Sequence, residues 1–126
     1  MAAARGNAIL IVDDEPEIAR LMAEILAGLA ERIDVAEDGV AALRLAGSRS
    51  YDLVISDVRM PRLDGPGLCD KLRESGFAGR FLFVTGDCGG PARLRGTGVP
   101  FIEKPFLPSE VRRRVADVFG GFETKP

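Results

Sequence analysis

Four short apolar runs, each ending on a polar residue, constrain this chain more than any other feature. Leu53, Val54 and Ile55 run into Asp57, and Pro61 and Gly65 close that element with turn chemistry. Ile9 to Val12 run into Asp13 and Asp14, Phe81 to Val84 into Thr85, and Val99, Phe101 and Ile102 lead through Glu103 to Lys104. Continuous runs rich in β-branched residues suit strands buried on both faces of a parallel sheet. Parallel strands joined by right-handed crossovers bring their carboxyl ends to one edge, where open α/β sheets place their ligands. That edge would then gather three carboxylates, a hydroxyl and an ammonium from distant parts of the chain.

The segments between the runs read as helices. Asp14 and Glu17 have the spacing of a helix N-cap with its reciprocal partner, and Pro16 falls in the tolerant first turn. Ile18, Leu21, Met22, Ile25, Leu26 and Leu29 then form one apolar stripe. Ile33, Val35 and Ala36 make a second strand, and Asp38-Gly39 turns into a helix with Val40, Leu43 and Ala46 on its inner side, ended by Gly47 and Ser48. A weaker helix surrounds Leu68, Cys69 and Leu72. The last helix is capped by Ser109 and packs Val111, Val115, Val118 and Phe119 inward, with Arg112, Arg113 and Arg114 mostly in solvent. Between Thr85 and the final strand lies GDCGGPARLRGTGVP, with five glycines and two prolines in fifteen residues. A helix there should be short or frayed, because glycine costs ~1 kcal/mol and interior proline ~3 kcal/mol relative to alanine. Elevated mobility is therefore expected from Gly86 to Gly98.

The predicted fold is an α/β three-layer sandwich, a doubly wound (βα)5 unit with a five-stranded parallel sheet in the flavodoxin-like order 2-1-3-4-5. A chain of 126 residues fits one domain, 1–126, with flexible ends at about 1–6 and 121–126. Seventeen basic against nineteen acidic residues give a net charge of −2, which argues against a domain-wide attraction for nucleic acid. Cys69 and Cys88 lack metal or redox spacing and read as inert packing residues. The absence of histidine excludes a histidine base, metal ligand or phosphocarrier of the chain's own. No apolar stretch reaches the ~18 residues of a membrane span, and a cytoplasmic location is expected.

Three crowded carboxylates repel one another and call for a cation; a hard divalent ion such as Mg2+, or Mn2+ in its place, suits oxygen ligands. A carboxylate beside a cation and an ammonium can attack phosphorus to form an acyl phosphate, and Asp57 is the candidate nucleophile. The equatorial oxygens of that transfer need the metal, the Lys104 ammonium and the Thr85 hydroxyl.

The motifs ILIVDDE, LVISDVRMPRLDG, FVTG and FIEKPF, in this order, resemble those of a response-regulator receiver domain of two-component signalling, over essentially the whole chain. The resemblance implies that Asp13 and Asp14 hold Mg2+, that Asp57 is the phosphoacceptor, and that the main-chain carbonyl of Arg59 is a further metal ligand. It implies that Thr85 and Lys104 bind the phosphoryl group, that Phe101 is an aromatic switch partner of Thr85, and that Lys104-Pro105 is cis. By the same resemblance Arg59 and Asp87 flank the path of the hydrolytic water, where their opposite charges are expected to pair and tune the phosphorylated lifetime. The implied partner is a sensor histidine kinase or histidine phosphotransfer protein. A downstream protein target or an attached kinase module would receive the signal, with no direct contact to nucleic acid or membrane. The chain would be a single-domain regulator or a receiver cut from a larger protein. Two other readings stay open: a haloacid-dehalogenase-type phosphatase, whose nucleophile lies in strand one as DxD, and a receiver-like interaction module that never carries phosphate.

Overall fold

The computed structural model describes residues 7–86 and 98–120. Five strands, β1 (Ala8–Val12), β2 (Arg32–Ala36), β3 (Leu53–Asp57), β4 (Arg80–Thr85) and β5 (Phe101–Glu103), form one parallel sheet in the order β2-β1-β3-β4-β5. Four helices are described: α1 (Pro16–Ile25), α2 (Gly39–Ser48), α3 (Gly65–Glu74) and α4 (Pro108–Gly120). This is the expected doubly wound architecture. The segment expected to supply a short helix between β4 and β5 falls largely on residues 87–97, outside the described residues, as do Cys88, Asp87 and both chain ends.

Strand alternation divides the core in two. Ile9, Ile11, Leu53, Ile55, Leu82 and Val84 face Ala19, Met22, Ile25 and Leu26 of the α1 region and Val111, Val115 and Phe119 of α4. Leu10, Val12, Val54, Phe81 and Phe83 face Ala42 of α2 and Leu68, Cys69 and Leu72 of α3. Every residue of β1 and β3 is buried, which explains why those runs are continuously apolar rather than alternating. β2 lies at the sheet edge and leaves Val35 exposed. Among the described residues no helix is long and apolar enough to cross a membrane.

Several local expectations need correction. Asp14 does not cap α1: the N-cap is Glu15, without a side-chain bond, and Asp13 instead accepts the Glu15 amide through Oδ1 at 2.9 Å. Placing a side chain one residue earlier satisfies the turn and leaves Asp14 exposed. The α1 helix ends at Ile25, and Leu21 is 43% exposed, because Ala19 takes the inward position beside Met22 and Ile25. In α2 Leu43 and Ala46 pack against the core as expected, but Val40 is exposed and the buried position on that face is taken by Ala42. Ser109 lies inside α4, whose first turn is closed by the Leu107 carbonyl accepting from Glu110 and Val111. The arginine run is not purely solvated: Arg112 donates to the Ile25 carbonyl at 2.8 Å and Arg114 to the Phe101 carbonyl at 3.1 Å. Both bonds tie α4 to neighbouring elements. The Lys104-Pro105 bond is cis, as expected.

Candidate functional site

The ends of β1 and β3 run side by side, with Val12 opposite Ser56, so Asp13 and Asp57 emerge next to each other. Asp13 is held by its amide, which donates to the Ala36 carbonyl, and by Oδ1, which accepts from Glu15. Its other oxygen is left for the site. Asp57 is fixed from behind: its carbonyl accepts the Ser56 hydroxyl at 2.8 Å, and α3 begins against it at Gly65. A Cβ at Gly65 would stand 2.6 Å from the Asp57 carbonyl oxygen, so only glycine lets α3 start this close to the strand.

Lys104 arrives from beyond β5. Its amide donates to the Thr85 carbonyl at 2.7 Å, and its ammonium lies 3.4 Å from Asp57 Oδ2 and 3.9 Å from Asp13 Oδ2. These distances exceed the usual ~2.7–2.9 Å of a charge-assisted hydrogen bond, so one cation serves two carboxylates loosely. Thr85, 2% exposed, ends β4 beside them. Phe101 starts β5 opposite Phe83, half-buried against the α2/α3 side of the core.

Burial pushes the Asp13 carboxyl up to about 6; the Glu15 amide opposes the rise, and the Asp57 charge adds to it. Burial also raises Asp57, with the Lys104 charge and hydrogen bond working against it. One ammonium therefore does not compensate the cluster. Asp13, Asp14 and Asp57 each offer a carboxylate oxygen, and these oxygens lie within 4.8 Å of one another. Oxygen ligands of Mg2+ stand ~2.1 Å from the ion, hence up to ~4.2 Å apart, close to the spacing present. The donor set is hard and anionic, so the residues fit such a cation.

The fold thus brings Asp13, Asp14, Asp57, Thr85 and Lys104 to one edge of the sheet. Arg59 is exposed in the loop after β3, and its expected partner Asp87 lies outside the described residues. Two residues escaped the sequence reading. Asp38 caps α2 by accepting the Ala41 amide at 2.7 Å and pairs with Arg62 of the β3–α3 loop at 2.6 Å. The Asp38-Gly39 pair signalled a turn; nothing local announced its distant partner.

A family model, described as the response regulator receiver domain, matches residues 9–116. The probable transcriptional regulator ycf27 of Cyanidium caldarium is 32% identical over 123 residues, covering 96% of this chain and 49% of that protein. The sensor histidine kinase RcsC of Salmonella typhimurium is 40% identical over 77 residues, 61% of this chain and 8% of that protein. The chain therefore spans about half the length of the regulator it matches and a small part of the kinase. Among solved structures, the response regulator TrrA of Thermotoga maritima, in complex with Mg2+ and BeF, superposes with a TM-score of 0.80 at 31% identity. That match covers 89% of this chain and 98% of the other.

Proposed function

Because this chain belongs to the response regulator receiver family and is thus a phosphoacceptor domain of two-component signalling, we propose that Asp57 is the residue that carries the phosphoryl group. The observation that supports this most is the convergence of three carboxylates within 4.8 Å of one another, with Lys104 3.4 Å from Asp57. Asp13 and Asp14, with Asp57 and the main-chain carbonyl of Arg59, would hold Mg2+ or Mn2+. When bound, that ion supplies positive charge to the carboxylates and to the phosphoryl oxygens.

In our reading the donor is a phosphohistidine on a sensor kinase or phosphotransfer protein, since this chain has no histidine. An oxygen of Asp57 attacks phosphorus, the P–N bond breaks, and the imidazole departs and takes up a proton from solvent. Lys104 meets the charge on the transferred group, and the Thr85 hydroxyl donates to one of its oxygens. Water later attacks the acyl phosphate, releasing inorganic phosphate and restoring the Asp57 carboxylate. The domain thus assists its own phosphorylation and dephosphorylation without turning over an external substrate. The approach of Thr85 to the phosphoryl group vacates space into which Phe101 turns, and the face around β5 changes. We take the unit to be one receiver domain acting in the cytoplasm, without nucleic acid or membrane contacts of its own; a protein target or attached module carries the output.

Incubation with Mg2+ and acetyl phosphate tests this, read by intact-protein mass spectrometry. One phosphoryl group should appear on the native chain and none on Asp57→Ala. A phosphorylated Asp57→Ala protein sinks the assignment.

A further inference from the structure

The backbone between β3 and α3 carries an unusual feature close to the site. Arg62 has φ +71°, the left-handed region that residues with a Cβ seldom occupy, and the Leu63 amide donates to the Pro61 carbonyl at 2.7 Å. A bond spanning two residues around a positive φ defines a γ-turn of the rare, strained kind. Such strain persists only where the surroundings over-determine it, and it clusters at functional sites.

Here the surroundings are the first turn of α2. The Arg62 guanidinium reaches Asp38 Oδ2 at 2.6 Å, while Asp38 Oδ1 is occupied by the Ala41 amide. Asp38 is 7% exposed, so the pair is shielded on the carboxylate side. Next to it, a Cβ on Gly39 would stand 2.7 Å from the Leu63 carbonyl oxygen and 2.8 Å from Leu63 Cβ. The turn is therefore pressed flat against the start of α2. At its other end the loop is fixed to the strand, with Gly65 donating to Val58 at 2.9 Å and Val58 to Val84 at 3.1 Å. Arg59 lies between these two anchors.

We propose that Arg62 and Asp38 are positioning residues that clamp the β3–α3 loop to α2 and thereby set the affinity of the acidic site for its divalent cation. The inference rests on the functional reading above, in which the Arg59 carbonyl is a metal ligand. Neither side chain belongs to the carboxylate cluster that would hold the ion. With the clamp released, the strained turn relaxes and the Arg59 segment stays anchored only at its β3 end, while the three carboxylates remain.

The test is Mg2+ titration by calorimetry on the native chain, Arg62→Gly, Arg62→Lys and Asp38→Asn, alongside the metal-free thermal midpoint. Glycine accepts a positive φ without strain, so Arg62→Gly should keep or raise the midpoint while weakening Mg2+ binding at least threefold. A merely structural pair would instead lower the midpoint and leave the affinity alone. Lysine restores the charge and should recover most of the affinity. The Asp38→Asn variant keeps a side chain able to cap α2 and carries the same test should the glycine variant fail to fold. Native-like affinity in the folded variants overturns the clamp. A native chain that binds no Mg2+, or binds it equally well as Asp57→Ala, overturns the functional reading instead.

Discussion

Asp13 builds a pH dependence into the site. Its carboxyl, lifted to about 6 chiefly by burial, is neutral in mildly acidic solution and must ionise to serve a cation. The folded pKa lies above the ordinary 3.8, so the metal-free fold binds the proton more tightly than the unfolded chain does. The resulting stability is fully present below about pH 4 and is lost as pH rises through 6. On the proposed function, cation affinity should run the opposite way, falling as pH drops through 6 because the ion would have to displace that proton. Calorimetric Mg2+ titrations between pH 5 and 8, paired with urea unfolding of the metal-free chain, check both signs. Affinity that stays level from pH 7 to pH 5 defeats the assignment. Lys104→Met removes a charge that lowers both Asp13 and Asp57, so it should move the acidic limb of the affinity profile to higher pH.

What was legible before folding depends on how local the determinant is. The strands that build the site announced themselves because β1, β3 and β4 are buried on both faces and admit almost nothing polar before their ends. Asp13, Asp57 and Thr85 stood out for that reason. Single positions on the helix faces were less legible, since alanine is apolar without being bulky: Met22, Ile25, Leu43 and Ala46 pack inward as expected, but Ala19 and Ala42 are buried where hydropathy favours the larger Leu21 and Val40. The cap of α1 was misassigned because two consecutive aspartates offer the same chemistry and only the backbone direction chooses between them. The Asp38–Arg62 pair joins residues 24 apart and has no periodic signature at all. These facing assignments separate energetically. Leu26, fully buried against the sheet, should cost about 2–5 kcal/mol on replacement by alanine. Leu21→Ala should stay within about 1 kcal/mol, because much of its surface already meets water. Equal losses in denaturant melts of the two variants contradict the observed outward facing of Leu21.

Across the sheet, the same ladder that assembles the site also links it to the far edge. Lys104 donates to Thr85, Phe83 donates to Pro100, and Val84 stands opposite Ile102, so β4 and β5 are bonded to each other up to the site. Arg114 fastens α4 to that pair through the Phe101 carbonyl. Two hydrogen bonds thus separate Thr85 from α4, one to Lys104 and one from Arg114 to the Phe101 carbonyl. Converting such a unit from 1% to 99% active requires ~5.5 kcal/mol of preferential stabilisation, which no single hydrogen bond of about 1.5–3 kcal/mol to a charged group supplies. Asp57, Thr85, Lys104 and a cation together are of the right order. Beryllofluoride with Mg2+, a stable mimic of the phosphoryl group, isolates this sum. At a hundred times its dissociation constant it should stabilise the fold by about 2.7 kcal/mol, raising the thermal midpoint by about 10 °C for a domain of this size. The gain depends on the site and not on the packing beneath it, so Leu26→Ala should start from a lower midpoint yet rise by a similar amount. Asp57→Ala should not rise at all. Scanning calorimetry separates the cases, and an Asp57→Ala protein that gains as much as the native chain would show that the stabilisation comes from somewhere other than this sheet edge.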